Sequence, residues 1–250
     1  MDQIDRIFDF HAFKTFLLLM CLWNKFIIYR GKIMFKRVTR KKCSIARQRA
    51  NTILNDVQKT LKDKYKFDKR LVGSGAWGTM IEDDKGEYDL DYQMLLSKNS
   101  PLYKKNGNFP NPTTIKQDFI SAFDKCLKGK EKTENSTTAI TLRNEDNKPY
   151  HIDFVIIKLL PANNEIIRRN NKKETPNINE FTWNKLPQWN EAYDYFKCLP
   201  AEEKQYLIES IIIPKKQIEK EKAEDDPTKI SSAALFVREV NNYKWQQEKK

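Results

Sequence analysis

The sequence predicts an α+β fold: a mixed sheet with flanking helices, followed by a short helical C-terminal lobe. Three observations carry this. Ala46, Ala50, Ile53, Leu54, Val57 and Leu61 recur at helical spacing. Short segments rich in β-branched and apolar residues, bounded by Gly, Asn and Pro, occur at 69–73, 89–96, 137–143 and 150–159 and read as strands. Beyond residue 186 the patterns are helical. A chain of 250 residues can form one large domain or two small ones. The expected division is an apolar N-terminal extension at 1–33, a main domain at 34–160 and a C-terminal lobe at 161–250.

The N-terminal extension contains Phe16-Leu17-Leu18-Leu19-Met20-Cys21-Leu22-Trp23. This run is too short to span a bilayer. It lacks the basic start and small-residue cleavage site of a signal peptide. A packing helix, an interfacial helix backed by basic residues, and an upstream extension of the gene remain open. The ordinary soluble pattern from Met34 onward favours the last and disfavours membrane contact. The helix at 44–62 follows, capped by Ser44. A strand at 69–73 leads into a glycine turn, and a turn-rich loop covers 97–112. Thr113 or Thr114 caps a helix to about residue 127, with Ile115, Phe119, Ala122, Phe123 and Cys126 inward. Strands 137–143 and 150–159 form a hairpin. Residues 161–186 read as a polar, Asn-rich loop, and Trp183 and Trp189 bracket Leu186-Pro187 as packing residues. Helices are expected at 190–198 and 200–213, with Pro200 and Pro214 as punctuation. A charged helix or loop covers 217–226. Ser231-Ser232 caps a last helix with Phe236, Val240 and Tyr243 inward.

Charge is unevenly spread. The chain carries 46 Lys and Arg against 34 acids, a net charge of +12. Residues 30–70 hold 15 basic and 3 acidic residues, an excess equal to the whole net charge. That stretch suits nucleic acid, nucleotide phosphates or an anionic surface, or is simply a solvated face. The 4 cysteines are far apart and only 2 histidines occur. Neither a disulfide framework nor a zinc site is expected on that basis, and a reducing cytoplasm is the expected setting.

The chemistry concentrates in residues 71–96. Leu71-Val72 ends a strand, and Gly73-Ser74-Gly75 and Gly78-Thr79 follow. Glycines let a backbone approach a ligand, and the N–H groups of such a turn can hold phosphate oxygens. Asp89 and Asp91 are two apart, so on a strand they share a face. Adjacent carboxylates repel, and a fold keeps them readily where a hard divalent cation sits between. Asp153 interrupts the apolar strand Tyr150 to Ile157, which is costly without a metal or a partner. His151 shares its face and is read as a strand histidine without a role.

Gly73-Ser74 with Gly78-Thr79, then Asp89-Leu90-Asp91, then Ile152-Asp153-Phe154 resemble the nucleotidyltransferase superfamily related to DNA polymerase beta. The extended Gly-Ser-x-x-x-Gly-Thr form is most similar to the cGAS/DncV-like branch, the CD-NTases. The likeness covers residues 44–158 well and the rest weakly. It implies a polymerase-beta-like catalytic domain at 34–160 that takes nucleoside triphosphates with Mg²⁺, or Mn²⁺ in its place. Asp89, Asp91 and Asp153 would hold the metal, and Gly73 and Ser74 the phosphates. Lys244, on a C-terminal helix similar to the family's phosphate-binding one, would add a cation. The implied product is a cyclic di- or oligonucleotide messenger in bacterial anti-phage defence. The family's C-terminal region usually continues with more helices, so this lobe reads as short. Two rivals stand beside this reading. One is nucleotidyl transfer to RNA or protein, suited by the basic stretch 30–70. The other is a nucleic-acid-binding relative with weak catalysis.

Overall fold

The computed structural model describes residues 35–127, 132–143, 149–161, 163–170, 180–186 and 190–249. The N-terminal extension and Trp189 lie outside the described residues. The order of elements is β1 (Lys36–Arg37), α1 (Arg40–Leu61), β2 (Phe67–Val72), α2 (Gly73–Trp77), β3 (Ile81–Glu82), β4 (Tyr88–Leu96), α3 (Pro101–Asn106) and α4 (Pro112–Leu127). Then come β5 (Lys132–Asn135), β6 (Ala139–Arg143), β7 (Tyr150–Lys158), β8 (Glu165–Arg169) and β9 (Phe181–Lys185). The lobe holds α5 (Asn190–Cys198), α6 (Ala201–Tyr206), a wide π segment (Leu207–Ile212), α7 (Ile213–Glu221) and α8 (Ser232–Glu248).

Helix α1 buries all six residues of its apolar stripe. Its start is earlier than expected, because Thr39 rather than Ser44 caps it by accepting from the Lys42 N–H at 3.3 Å. Helix α4 buries Ile115, Phe119, Ala122 and Phe123 as its spacing requires, and Lys116 with them. Asn111, not Thr113 or Thr114, caps it, through Oδ1 to the Thr114 N–H at 2.8 Å. Both helices cover one face of the sheet, where Leu90, Met94, Ile140, Ile152, Phe154 and Ile156 form the core. The aromatic pair Phe123–Phe154, 4.8 Å between ring centres, ties α4 to β7.

The sheet runs β2-β4-β7-β6-β5, with β8 on the end of β7 and β9 beside β8. Among the described residues, only β4 and β7 pair in parallel; the other pairs are antiparallel. Residues 161–186, expected as a loop, thus supply a further hairpin. The sheet runs to Lys185, past the boundary expected at residue 160. The expected loop at 97–112 likewise contains α3, opened by Pro101 and stopped by Gly107 at φ +76°.

The helical lobe has its own core of Ala192, Phe196, Leu207, Ile212, Phe236, Val240 and Tyr243. Pro214 does not end a helix here. It follows the π segment at the first turn of α7, where its missing N–H is tolerated. Among the described residues, no helix is long and apolar enough to cross a membrane.

Candidate active site

The parallel register of β4 and β7 builds the site. Asp91 stands opposite Asp153, and Asp89 opposite His151. Leu90 and Ile152, both fully buried, point to the opposite face, so the three aspartates share the open one. Strand β6 lies on the far side of β7 and sets Thr141 opposite Asp153. The Thr141 hydroxyl donates to Asp153 Oδ1 at 2.5 Å, which fixes that carboxylate.

On the other side of β4, β2 pairs Val72 with Asp91 and runs directly into Gly73. Gly73 has φ +60°, and a Cβ there would lie 2.7 Å from Asp91 Oδ2. Only glycine fits this close approach. Ser74 follows in the short turn α2, and Gly78 closes the turn in the left-handed conformation at φ +72°. Thr79 is buried behind it, and its N–H donates to the Ser74 carbonyl at 3.0 Å.

These elements surround a cavity of about 480 Å³. Ser74, Asp89, Asp91 and Asp153 line it, together with Thr141, Arg143, His151, Lys216, Lys220 and Ser232. Gly73 adjoins it through Asp91. Lys216, from α7, is almost wholly buried. Its ammonium donates to Ser74 Oγ at 2.5 Å and to the Thr79 carbonyl at 3.1 Å. Lys220 lies one turn further along α7, on the same side.

The electrostatics follow from this crowding. Burial pushes the Asp91 carboxyl up to about 6, and the charges of Asp153 and Asp89 push it the same way. Lys216 and Lys220 pull it partly back. Burial also raises Asp153, against the Thr141 hydrogen bond that lowers it. Lys216 is lowered to about 8 by burial first and by Lys220 second, while Asp91 and Asp89 oppose the shift. The cavity thus has an acidic wall on the sheet and a cationic wall on α7.

A hard divalent cation fits the donor set: three carboxylates on one face, with the proton affinity of Asp91 and Asp153 raised and no thiol among them. As placed, no three His, Cys, Asp or Glu side chains among the described residues converge tightly enough to cage an ion.

Lys244 departs from expectation. Its ammonium lies 5.8 Å from the Tyr195 ring centre and 3.9 Å from Glu248, and it is not among the cavity's lining residues. Lys216 and Lys220 stand where a phosphate-binding cation was expected. A signal for Lys216 existed: it falls three and four residues after Ile213 and Ile212, on their inward stripe. His151 and Thr141 also face the cavity, set opposite Asp89 and Asp153 by the strand register.

The chain has the cGAS/DncV-like nucleotidyltransferase fold. No protein-family model matches the sequence, and no curated protein matches it. Among solved structures, Vibrio cholerae DncV in its 3'-deoxy GTP bound form aligns at TM-score 0.57 and 12% identity, over 85% of this chain and 68% of that one. Escherichia coli DncV, also 3'-deoxy GTP bound, aligns at TM-score 0.55 and 10% identity, over 85% and 69%. The STING-associated CdnE c-di-GMP synthase from Capnocytophaga granulosa aligns at TM-score 0.53 and 16% identity, over 82% of this chain. The chain spans 61% of that synthase's length. At such identities the likeness is one of fold.

Proposed function

We propose that this chain is a metal-dependent nucleotidyltransferase that joins nucleoside triphosphates into a cyclic di- or oligonucleotide. The observation that carries the reading is the facing of two walls. Asp89, Asp91 and Asp153 occupy one face of adjoining strands, and Lys216 reaches across to Ser74 opposite them. One charge pattern suits a cation and the other a polyphosphate. Mg²⁺, or Mn²⁺ in its place, would neutralise triphosphate charge and lower the pKa of an acceptor hydroxyl.

The protein's own groups divide the remaining work. Asp89 and Asp91 would hold the cation from β4. Asp153, oriented by Thr141, would complete the set. Gly73 allows the turn to approach Asp91. The Ser74 hydroxyl and the Lys216 ammonium hold phosphate oxygens, with Lys220 as a second cation at the mouth. Positioning and charge stabilisation are what phosphoryl transfer chiefly needs. The fold shared with cyclic dinucleotide synthases supports a messenger product, and the resemblance of the Gly-Ser and aspartate motifs to the CD-NTases implies a role in anti-phage signalling.

A second reading, transfer to RNA, is favoured by one feature. Arg40, Lys41, Lys62, Lys66 and Arg70 are exposed at or near helix α1 and strand β2. RNA binding that falls steeply with salt would support it. The deciding experiment incubates the protein with four labelled ribonucleoside triphosphates and Mg²⁺ or Mn²⁺. A low-mass, phosphatase-resistant product that vanishes in Asp89→Ala supports the messenger synthase. A folded protein that binds triphosphate but gives no such product moves the assignment to macromolecular transfer.

A further inference from the structure

The two groups proposed to grip phosphate come from different parts of the chain. Ser74 sits on the turn between β2 and β3, and Lys216 sits on α7 of the helical lobe. The turn is flanked by Gly73 and Gly78, both at positive φ. Glycines at both ends leave its orientation poorly fixed by its own backbone. Its direction must come from what it docks against.

Trp77 supplies the aromatic part of those contacts. Its ring stacks on Tyr193 of α5, 5.1 Å between centres and 10° between planes. It also stacks on Phe236 of α8 at 5.6 Å and meets Phe196 edge-on at 5.7 Å. Tyr193, Phe196 and Phe236 also contact one another. The indole therefore enters a three-ring cage made only by the lobe. Arg47 of α1 holds the turn from the sheet side, donating to the Gly75 carbonyl. Trp77 itself does not line the cavity, so it has no direct contact to offer a nucleotide there.

We propose that Trp77 is a positioning residue that locks the Ser74 turn to the helical lobe, setting the Ser74–Lys216 pair at phosphate-binding distance. The inference rests on the reading of the cavity as a triphosphate site. Loss of the indole frees the turn at its two glycines, and Ser74 then leaves Lys216 without any change in the carboxylates. The effect falls on triphosphate affinity, while turnover at saturating triphosphate changes little.

The test uses the full chain and three variants: Trp77→Ala, Trp77→Phe and Tyr193→Ala. Calorimetry with Mg²⁺ and α,β-non-hydrolysable ATP and GTP analogues gives Kd. Hydrogen exchange reports on the amides of residues 73–80, and melting reports on the fold. Trp77→Ala is expected to weaken binding about tenfold or more and to speed exchange at residues 73–80, with β4 and β7 still protected. Trp77→Phe, which keeps a ring in the cage, is expected within about threefold of wild type, and Tyr193→Ala between the two. A folded Trp77→Ala that melts lower but binds within about twofold of wild type overturns the proposal. Should Trp77→Ala not fold, Tyr193→Ala decides: wild-type affinity despite faster exchange at residues 73–80 overturns it, and weakened affinity supports it. A wild-type protein that binds neither analogue overturns the reading of the cavity itself, and this inference with it.

Discussion

Replacing Asp91 by Asn should stabilise the metal-free protein while abolishing its chemistry. Asp91 is pushed up to about 6 from an ordinary 3.8, by burial and then by its two carboxylate neighbours. A raised acid binds its proton more tightly in the native state than in the unfolded one. Between pH 3.8 and about 6, stability therefore falls as pH rises, and above about 6 the whole penalty is present. A shift of about two units corresponds to about 3 kcal/mol. The amide of Asn removes the charge but keeps the shape, so we expect a gain of about 1–3 kcal/mol at pH 7.5 with chelator present. For a chain of this size that is a rise of roughly 2–10 °C in Tm. The gain should vanish below about pH 4, where the wild-type carboxyl is protonated in both states. Added Mg²⁺ should then raise the Tm of the wild type and leave that of Asp91→Asn unmoved. The assay is thermal melting from pH 4 to 7.5, with chelator and with Mg²⁺. If Asp91→Asn melts below the wild type in chelator at pH 7.5, or differs by the same amount at every pH, the carboxylates do not repel as described.

Three further outcomes are expected. Lys216→Gln should weaken binding of a triphosphate analogue about 10–100-fold, the worth of a charged hydrogen bond, while Lys244→Gln should change it less than about twofold in the same titration. Gly73→Ala forces a Cβ to 2.7 Å from Asp91 Oδ2 at φ +60°. It should leave the melting temperature within a few degrees but lower nucleotidyl transfer about 100-fold or more, as a displaced ligand does. Lys116, wholly buried under Phe181 with its ammonium on the Thr138 carbonyl at 3.1 Å, is lowered to about 7 by burial and by Arg169. The unfolded chain binds more protons between about 7 and 10.5, so this penalty is complete below pH 7 and is relieved as pH rises through that window. Lys116→Met should accordingly stabilise by roughly 1–4 kcal/mol at pH 6–7, with the gain shrinking toward pH 10, as followed by denaturant unfolding.

What could be read in advance follows from where each signal resides. The stripe of α1 is a property of consecutive residues, so periodicity alone named its whole buried face. The three aspartates were visible because each sits in a strand pattern whose alternate residues are apolar. The hairpin of β8 and β9 was not visible. Its strands, Glu-Ile-Ile-Arg-Arg and Phe-Thr-Trp-Asn-Lys, are five residues each and mostly polar, and they are ordered by pairing with β7 and with each other. Lys116 and Lys216 were hidden by a different cause. A lysine on an apolar stripe is ordinarily assigned to solvent, by snorkelling along its stem. Both are instead closed over by a neighbouring element, with backbone carbonyls and a hydroxyl as acceptors.

Helical spacing does not separate Lys216 from Lys244. Each lies four residues after a buried apolar position, Ile212 and Val240 respectively, so their spacing is alike. Pro214, two residues before Lys216, argued that the helix had ended there. The π segment over Leu207–Ile212 lets the chain continue through that proline and carries Lys216 to Ser74. Helix α8 instead sets Lys244 beside the Tyr195 ring and Glu248. Which lysine meets the carboxylates is therefore decided by how two lobe helices pack on a glycine turn more than 130 residues earlier in the chain. That is a long-range property, and exchanging the two lysines' roles would require moving helices rather than changing their sequence pattern.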